Sequence, residues 1–161
     1  IEDAIKRIAD SINIDFYDKK PVVLCVMVGG MATVGRLLPH LTIAMELDYI
    51  HATRYGLEKT ADTIEWRALP KTPLTDRNVI VIDDILDGGI TLGVIQQYCE
   101  QAGAQSIHHV VLLDKPLGRS PNGLQKAHYV GLTVGNHWIF GTGLDYFGYW
   151  RNADGIYTIS D

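Results

Sequence analysis

Two adjacent acids, Asp83 and Asp84, follow the apolar run Val79-Ile80-Val81-Ile82 and lead into Ile85-Leu86-Asp87-Gly88-Gly89-Ile90-Thr91. In an open α/β sheet, ligands bind outside the carboxyl ends of the strands, and the acid pair falls at such an end. Carboxylates there can grip sugar hydroxyls or metal-bound water. Gly88 and Gly89 leave backbone N–H groups accessible, Thr91 adds a hydroxyl, and a following helix would present its positive N-terminal end, so a phosphate can be cradled. The plainer alternative makes Asp83, Asp84 and Asp87 helix-capping and loop acids. Two neighbouring carboxylates at a buried strand end are costly without partners, which favours a ligand. The pattern is neither a P-loop, which ends in Gly-Lys-Ser/Thr, nor the dinucleotide Gly-x-Gly-x-x-Gly.

Several elements must position these groups. Ile1, Ile5, Ile8 and Ile12 recur at helical spacing, predicting an amphipathic first helix that ends near Asn13 and packs on a sheet. Val22 to Val28 is an uninterrupted apolar run stopping at Gly29-Gly30, as expected of a strand buried on both faces. A short helix is expected from Met31 to Leu41, a β-rich stretch from Ile43 to Thr53, and a strand from Thr63 to Leu69. Between the last two, Arg54 to Asp62 is polar and too long for a tight turn, which suggests a flap. Val79 to Ile82 reads as a central strand, Thr91 to Ala102 as a helix stopped by Gly103, and Ser106 to Leu113 as the next strand. Together they form a right-handed βαβ unit and predict an α/β fold with a mostly parallel twisted sheet flanked by helices. After a loop from Lys115 to Lys126, further strands are expected at His128 to Val134 and Ile156 to Ile159. No internal repeat is apparent.

The chain has 161 residues, 47% apolar and 20% charged, enough for one domain with its own core. The run at Val22 to Val28 is far too short to span a membrane, and no leader pattern opens the chain, so a soluble, unsecreted protein is expected. Ile1 in place of Met raises the expectation of residues upstream. Cys25 and Cys99 sit in apolar patterns and read as core residues of a cytoplasmic protein. A formal charge of −5 with no Lys/Arg run argues against nucleic acid as the main partner. The six His and two Cys offer no zinc-type spacing, and His108-His109 in a strand would point to opposite faces. No Gly-x-Ser-x-Gly elbow is present.

The segment from Val79 to Thr91 resembles the PRPP-binding motif of type I phosphoribosyltransferases nearly throughout, PRPP being phosphoribosyl pyrophosphate. The likeness extends over most of the chain, and within the family it is nearest to the hypoxanthine-guanine members. Gly29-Gly30 resembles the pyrophosphate loop, and Arg54-Tyr55-Gly56 the start of the catalytic flap. Lys115 in Leu112-Leu113-Asp114-Lys115-Pro116 resembles the Lys that binds purine O6, and His137-Trp138-Ile139-Phe140-Gly141 the purine-stacking segment. Gly143-Leu144-Asp145-Tyr146 and Tyr149-Trp150-Arg151-Asn152 resemble the C-terminal Mg²⁺ Asp and pyrophosphate Arg.

The resemblance implies a type I phosphoribosyltransferase fold with a small hood, mainly from about 128 to 161, and a flexible β flap at about 54–62. It implies transfer of phosphoribosyl from PRPP to hypoxanthine or guanine with Mg²⁺, by a homo-oligomer, dimer or tetramer. Asp87, Tyr55 and Arg54 would be catalytic. Gly29, Gly30, Asp83, Asp84, Asp87, Gly88, Gly89, Ile90, Thr91 and Arg151 would hold PRPP. Lys115, Trp138, Ile139 and Asp145 would hold the purine, and Asp145, Asp83 and Asp84 the metal. Departures fall at Val28 and Arg54, where the family often has Lys and Ser, and at Gly88 and Ile90, where it often has Thr and Lys. Backbone donors are therefore expected to carry more of the phosphate binding. Two competing expectations are xanthine-guanine specificity and a non-catalytic regulator of the same fold that binds PRPP or nucleotides. The acidic charge, with Tyr55, Lys115 and Asp145 in place, favours the enzyme.

Overall fold

The first helix, α1 (Glu2–Asp15), buries Ile5, Ile8 and Ile12 at three- and four-residue spacing, followed by Phe16 just past its end. Each such side chain removed from water stabilises the fold by about 2 kcal/mol, and the helix runs slightly beyond the expected stop at Asn13. The computed structural model describes residues 1–54 and 64–159, with the backbone alone at Arg54. After α1 come β1 (Val22–Val26), α2 (Gly30–Leu37), a short 3-10 turn at Leu38–His40, β2 (Glu46–Arg54) and β3 (Ile64–Ala68). The longer helix expected to Leu41 breaks into the 3-10 turn where Pro39 enters; proline lacks the N–H that continuing α-helix would use. Then follow β4 (Asn78–Leu86), α3 (Ile90–Gln101), β5 (Ser106–Asp114), β6 (Tyr129–Thr133), β7 (Ile139–Phe140) and β8 (Tyr157–Thr158).

Six strands form one sheet in the order β3-β2-β1-β4-β5-β6, parallel except for the antiparallel β2–β3 pair. Alternate residues along the central strands feed two cores. Val23, Cys25, Ile80, Ile82 and Leu112 face α1 and α2, whereas Val22, Leu24, Val79, Val81 and Val111 meet Leu92, Ile95 and Cys99 of α3. That division explains the unbroken apolar runs, since both faces of a strand covered by helices must be apolar. Cys25 and Cys99 are both buried and free. Among the described residues, no helix is long and apolar enough to cross a membrane.

Two boundaries differ from expectation in ways that matter for the site. The strand expected at Val79 to Ile82 extends through Leu86, because Asp83, Ile85 and Leu86 keep pairing with Val111, Leu113 and Asp114. The acid pair therefore lies within the final stretch of β4 rather than beyond it. Tyr129–Thr133, within the stretch from about 128 expected to form the hood, pairs with β5 as the edge of the main sheet. The separate two-stranded sheet is β7–β8, and it is pinned by Ile139 and Leu144, which join the core on the α1 side. Tyr55 and nearly all of the expected flap at 54–62 lie outside the described residues.

Candidate active site

The carboxyl end of β4 meets the turn after β1 at very close range. A Cβ on Gly29 would lie 1.9 Å from the Asp84 Oδ2, and one on Gly30 would lie 2.7 Å from the Ile82 carbonyl oxygen. Only glycine lets this turn approach the acid pair. Gly30 also opens α2, so the turn places a helix start beside Asp84.

Asp83 and Asp84 are 9% and 8% exposed, and among the described residues neither makes an ion pair. The Asp84 N–H donates to Asp83 Oδ1 at 2.9 Å. Burial pushes the Asp83 carboxyl well above its ordinary range and the charge of Asp84 adds to that, while Arg151 pulls in the opposite direction. Burial also raises Asp84, against hydrogen bonds from its surroundings and the charge of Arg151. Two desolvated carboxylates held together are poised to receive hydroxyl donors or a cation, either of which would relieve their repulsion.

Beyond β4 the chain turns at Asp87-Gly88-Gly89 into α3. Gly89 has φ of +79° and caps the helix, and a Cβ there would lie 2.4 Å from the Leu124 carbonyl oxygen. Asp83, Asp84, Asp87, Gly88, Gly89 and Thr91 line a recess of about 200 Å³ at this helix start. The recess suits a phosphate through backbone N–H groups and the helix dipole. Ile90 does not line it, because its side chain is buried in the core.

A neighbouring cleft of about 290 Å³ is lined by Asp84, Ile85, Asp87, Lys115, Trp138, Ile139, Leu144 and Asp145. Every residue expected to hold a purine is among them. Lys115 lies just past β5, and its Nζ is 3.5 Å from Asp87 Oδ2, with the lysine side chain only 12% exposed. A cation donor and a carboxylate acceptor thus stand side by side. Trp138 and Ile85 supply flat and branched apolar surface. Asp145 accepts from Arg151 Nη2 at 2.6 Å and from the Gly148 N–H at 2.8 Å, while Arg151 Nη1 donates to the Gly143 carbonyl at 2.7 Å.

The structure brings Gly29, Gly30, Asp83, Asp84, Asp87, Gly88, Gly89, Thr91, Lys115, Trp138, Ile139, Asp145 and Arg151 to one end of the sheet. Among the described residues, no three His, Cys, Asp or Glu gather as a ready metal cage. Mg²⁺ fits the donor set as an ion shared with ligand oxygens, since Asp84 and Asp145 carry carboxylates into the same cleft. Ile85 and Leu144 were not singled out in the sequence, where they look like ordinary core residues; only their place in the cleft marks them. Arg119 was also missed. It hydrogen-bonds the carbonyls of Leu86 and Asp87 from behind the loop.

The family described as "Phosphoribosyl transferase domain" matches residues 1–146. Hypoxanthine-guanine phosphoribosyltransferase of Bacillus subtilis (strain 168) is 30% identical over 154 residues, covering 94% of this chain and 84% of that protein. Hypoxanthine-guanine-xanthine phosphoribosyltransferase of Tritrichomonas foetus is 30% identical over 152 residues, covering 94% and 82%. The structure of hypoxanthine phosphoribosyltransferase from Trypanosoma cruzi, in complex with the product IMP, superposes with a TM-score of 0.89 at 25% identity, covering 99% of this chain and 89% of that one.

Proposed function

The chain belongs to the phosphoribosyl transferase family, and from that premise we propose that it salvages purines by moving the 5-phosphoribosyl group of PRPP onto hypoxanthine or guanine. The products are IMP or GMP and pyrophosphate. The observation that carries the proposal is the Lys115–Asp87 pair, 3.5 Å apart, in a cleft walled by Trp138 and Ile85 and continuous with the acid pair. A 6-oxopurine carries O6 and N7 on one edge. Lys115 donates to O6, and Asp87 accepts the N7 proton as the N9 lone pair attacks C1 of the ribose, so the base is a stronger nucleophile and the joined purine leaves neutral. Adenine would set its amino donor against the lysine ammonium.

The chain's own groups divide the remaining tasks. The recess at Asp87–Thr91 holds the 5′-phosphate, and the buried Asp83–Asp84 pair receives the ribose hydroxyls, which fixes the sugar for displacement. As the sugar becomes oxocarbenium-like, the neighbouring carboxylates stabilise its positive charge. Arg151 and the backbone of Gly29-Gly30 receive the leaving pyrophosphate. Asp145, together with Asp83 and Asp84, would hold Mg²⁺, which would supply charge neutralisation for that leaving group when bound. The protein acts as a homo-oligomer, dimer or tetramer, a proposal supported by exposed apolar side chains at Leu47, Tyr49 and Trp66 on β2 and β3. Its compartment is the cytoplasm, supported by two free, buried cysteines.

Turnover of hypoxanthine, guanine, xanthine and adenine with PRPP and Mg²⁺ tests the assignment. Hypoxanthine and guanine are consumed and adenine is not; efficient use of adenine would sink the donor–acceptor argument. Preferred use of xanthine would move the specificity but keep the reaction.

A further inference from the structure

Arg119 lies in the connection between β5 and β6, and its side chain, 10% exposed, makes more hydrogen bonds than any other side chain among the described residues. Nη1 donates to the Leu86 carbonyl at 2.6 Å, to the Lys115 carbonyl at 2.8 Å and to the Asp87 carbonyl. Nη2 pairs with the Asp114 carboxylate, and Nε donates to the Gln125 carbonyl at 3.3 Å. The surrounding backbone tightens the same junction. The Lys115 N–H donates to the Leu86 carbonyl at 3.0 Å, the Ser120 N–H to Gly88 at 3.0 Å, and the Leu124 N–H to Gly89 at 2.9 Å. One guanidinium therefore ties the residue that reads the base to the loop that receives the phosphate, without lining either recess.

We propose that Arg119 is a positioning residue that fixes the spacing between Lys115 and the Asp87–Thr91 loop, and so acts selectively on ligands that touch both at once. The inference rests on the function proposed above. A planar fork holds several carbonyls in set directions, whereas a lysine ammonium satisfies one or two of them without fixing the plane. When the spacing relaxes, a ligand bound at one end still finds its partners. A ligand spanning both ends must give up contacts at one of them. GMP spans the phosphate loop and the base cleft; PRPP uses the phosphate loop and ribose acids but has no base to reach Lys115.

Titration of GMP and of PRPP with Mg²⁺ into wild-type and Arg119→Lys protein tests this. GMP affinity falls by about tenfold or more, equivalent to about 1.4 kcal/mol, while PRPP affinity stays within about threefold. In steady state, KM for the base rises more than KM for PRPP. Millimolar guanidinium added to Arg119→Ala recovers part of the GMP affinity. A purely structural arginine would weaken both ligands alike, so equal losses, or none, overturn the inference. If Arg119→Lys does not fold, Asp114→Asn carries the same test by removing the carboxylate that orients the guanidinium, with the same selective pattern at a smaller amplitude. Wild-type protein that binds neither ligand overturns the proposed function together with this inference. Wild-type binding with an unselective variant overturns the inference alone.

Discussion

Replacing Asp87 by Asn separates two roles that the structure gives one carboxylate. Asp87 Oδ2 faces Lys115 Nζ at 3.5 Å, and at an effective dielectric of about 20 the bare attraction is about 5 kcal/mol. Water reduces this sharply, because the Asp87 side chain is 52% exposed, and the net contribution of such a pair is about 1 kcal/mol or less. Denaturant unfolding of Asp87→Asn therefore shows a loss of about that size. Asn keeps the shape and still accepts a hydrogen bond, but it cannot take the N7 proton. Losing a general base lowers the chemical rate by about 10² to 10⁴, or about 3 to 5 kcal/mol in the barrier. The catalytic effect thus exceeds the structural one several-fold, and the two are read by different assays. Single-turnover kinetics isolates chemistry from product release, and a PRPP titration beside it checks that binding changes little. A chemical rate within a few-fold of wild type would refute proton acceptance by Asp87 and leave it a loop acid.

Asp83→Asn raises thermal stability by about 2 to 4 °C at pH 7.5 while weakening PRPP at least about tenfold. The sign follows from the raised Asp83 pKa, which makes its stability contribution present at low pH and lost as pH rises through the folded value; a lowered melting point contradicts it. His109, fully buried in β5, has its pKa lowered by burial from 6.5 to about 4, with His128 and His108 adding to the shift. The unfolded chain takes up this proton first, so stability falls by about 3 kcal/mol between pH 6.5 and 4. Urea unfolding of wild type and His109→Leu across that range isolates the effect, and parallel pH profiles would refute it. Trp138 is 64% exposed, so Trp138→Ala changes stability by no more than about 0.5 kcal/mol yet raises KM for the base about tenfold. An unchanged KM would remove Trp138 from the base site.

Much of this was legible because the relevant signals are local in sequence. The apolar run into Asp83-Asp84 and the glycines before Thr91 locate the strand, the acids and the glycine turn that opens α3 together. Periodicity recovers α1, and the resemblance singles out Lys115 and Trp138, which by residue type alone read as a surface charge and a core aromatic; both line the cleft beside Asp84. Other features depend on contacts between distant segments. Leu86 stays in β4 because β5 pairs with it, and Tyr129–Thr133 belongs to the main sheet through the same neighbour. Neither pairing is written in a local pattern. Arg119 escaped for a similar reason, since the carbonyls it collects carry no side-chain signature. The glycine turn at Gly29-Gly30 stands out in the sequence as the stop of an apolar run, but its steric reason, the Asp84 carboxylate against Gly29, appears only in three dimensions.

One cleft at the end of β4 is proposed to join a 6-oxopurine to the ribose of PRPP. Simultaneous quantification of IMP and pyrophosphate, in a reaction of the purified protein with hypoxanthine, PRPP and Mg²⁺, tests it most directly. The two products are expected in equal amounts, with both falling together in Lys115→Ala. Pyrophosphate released without IMP, or IMP formation untouched by loss of Lys115, would contradict it.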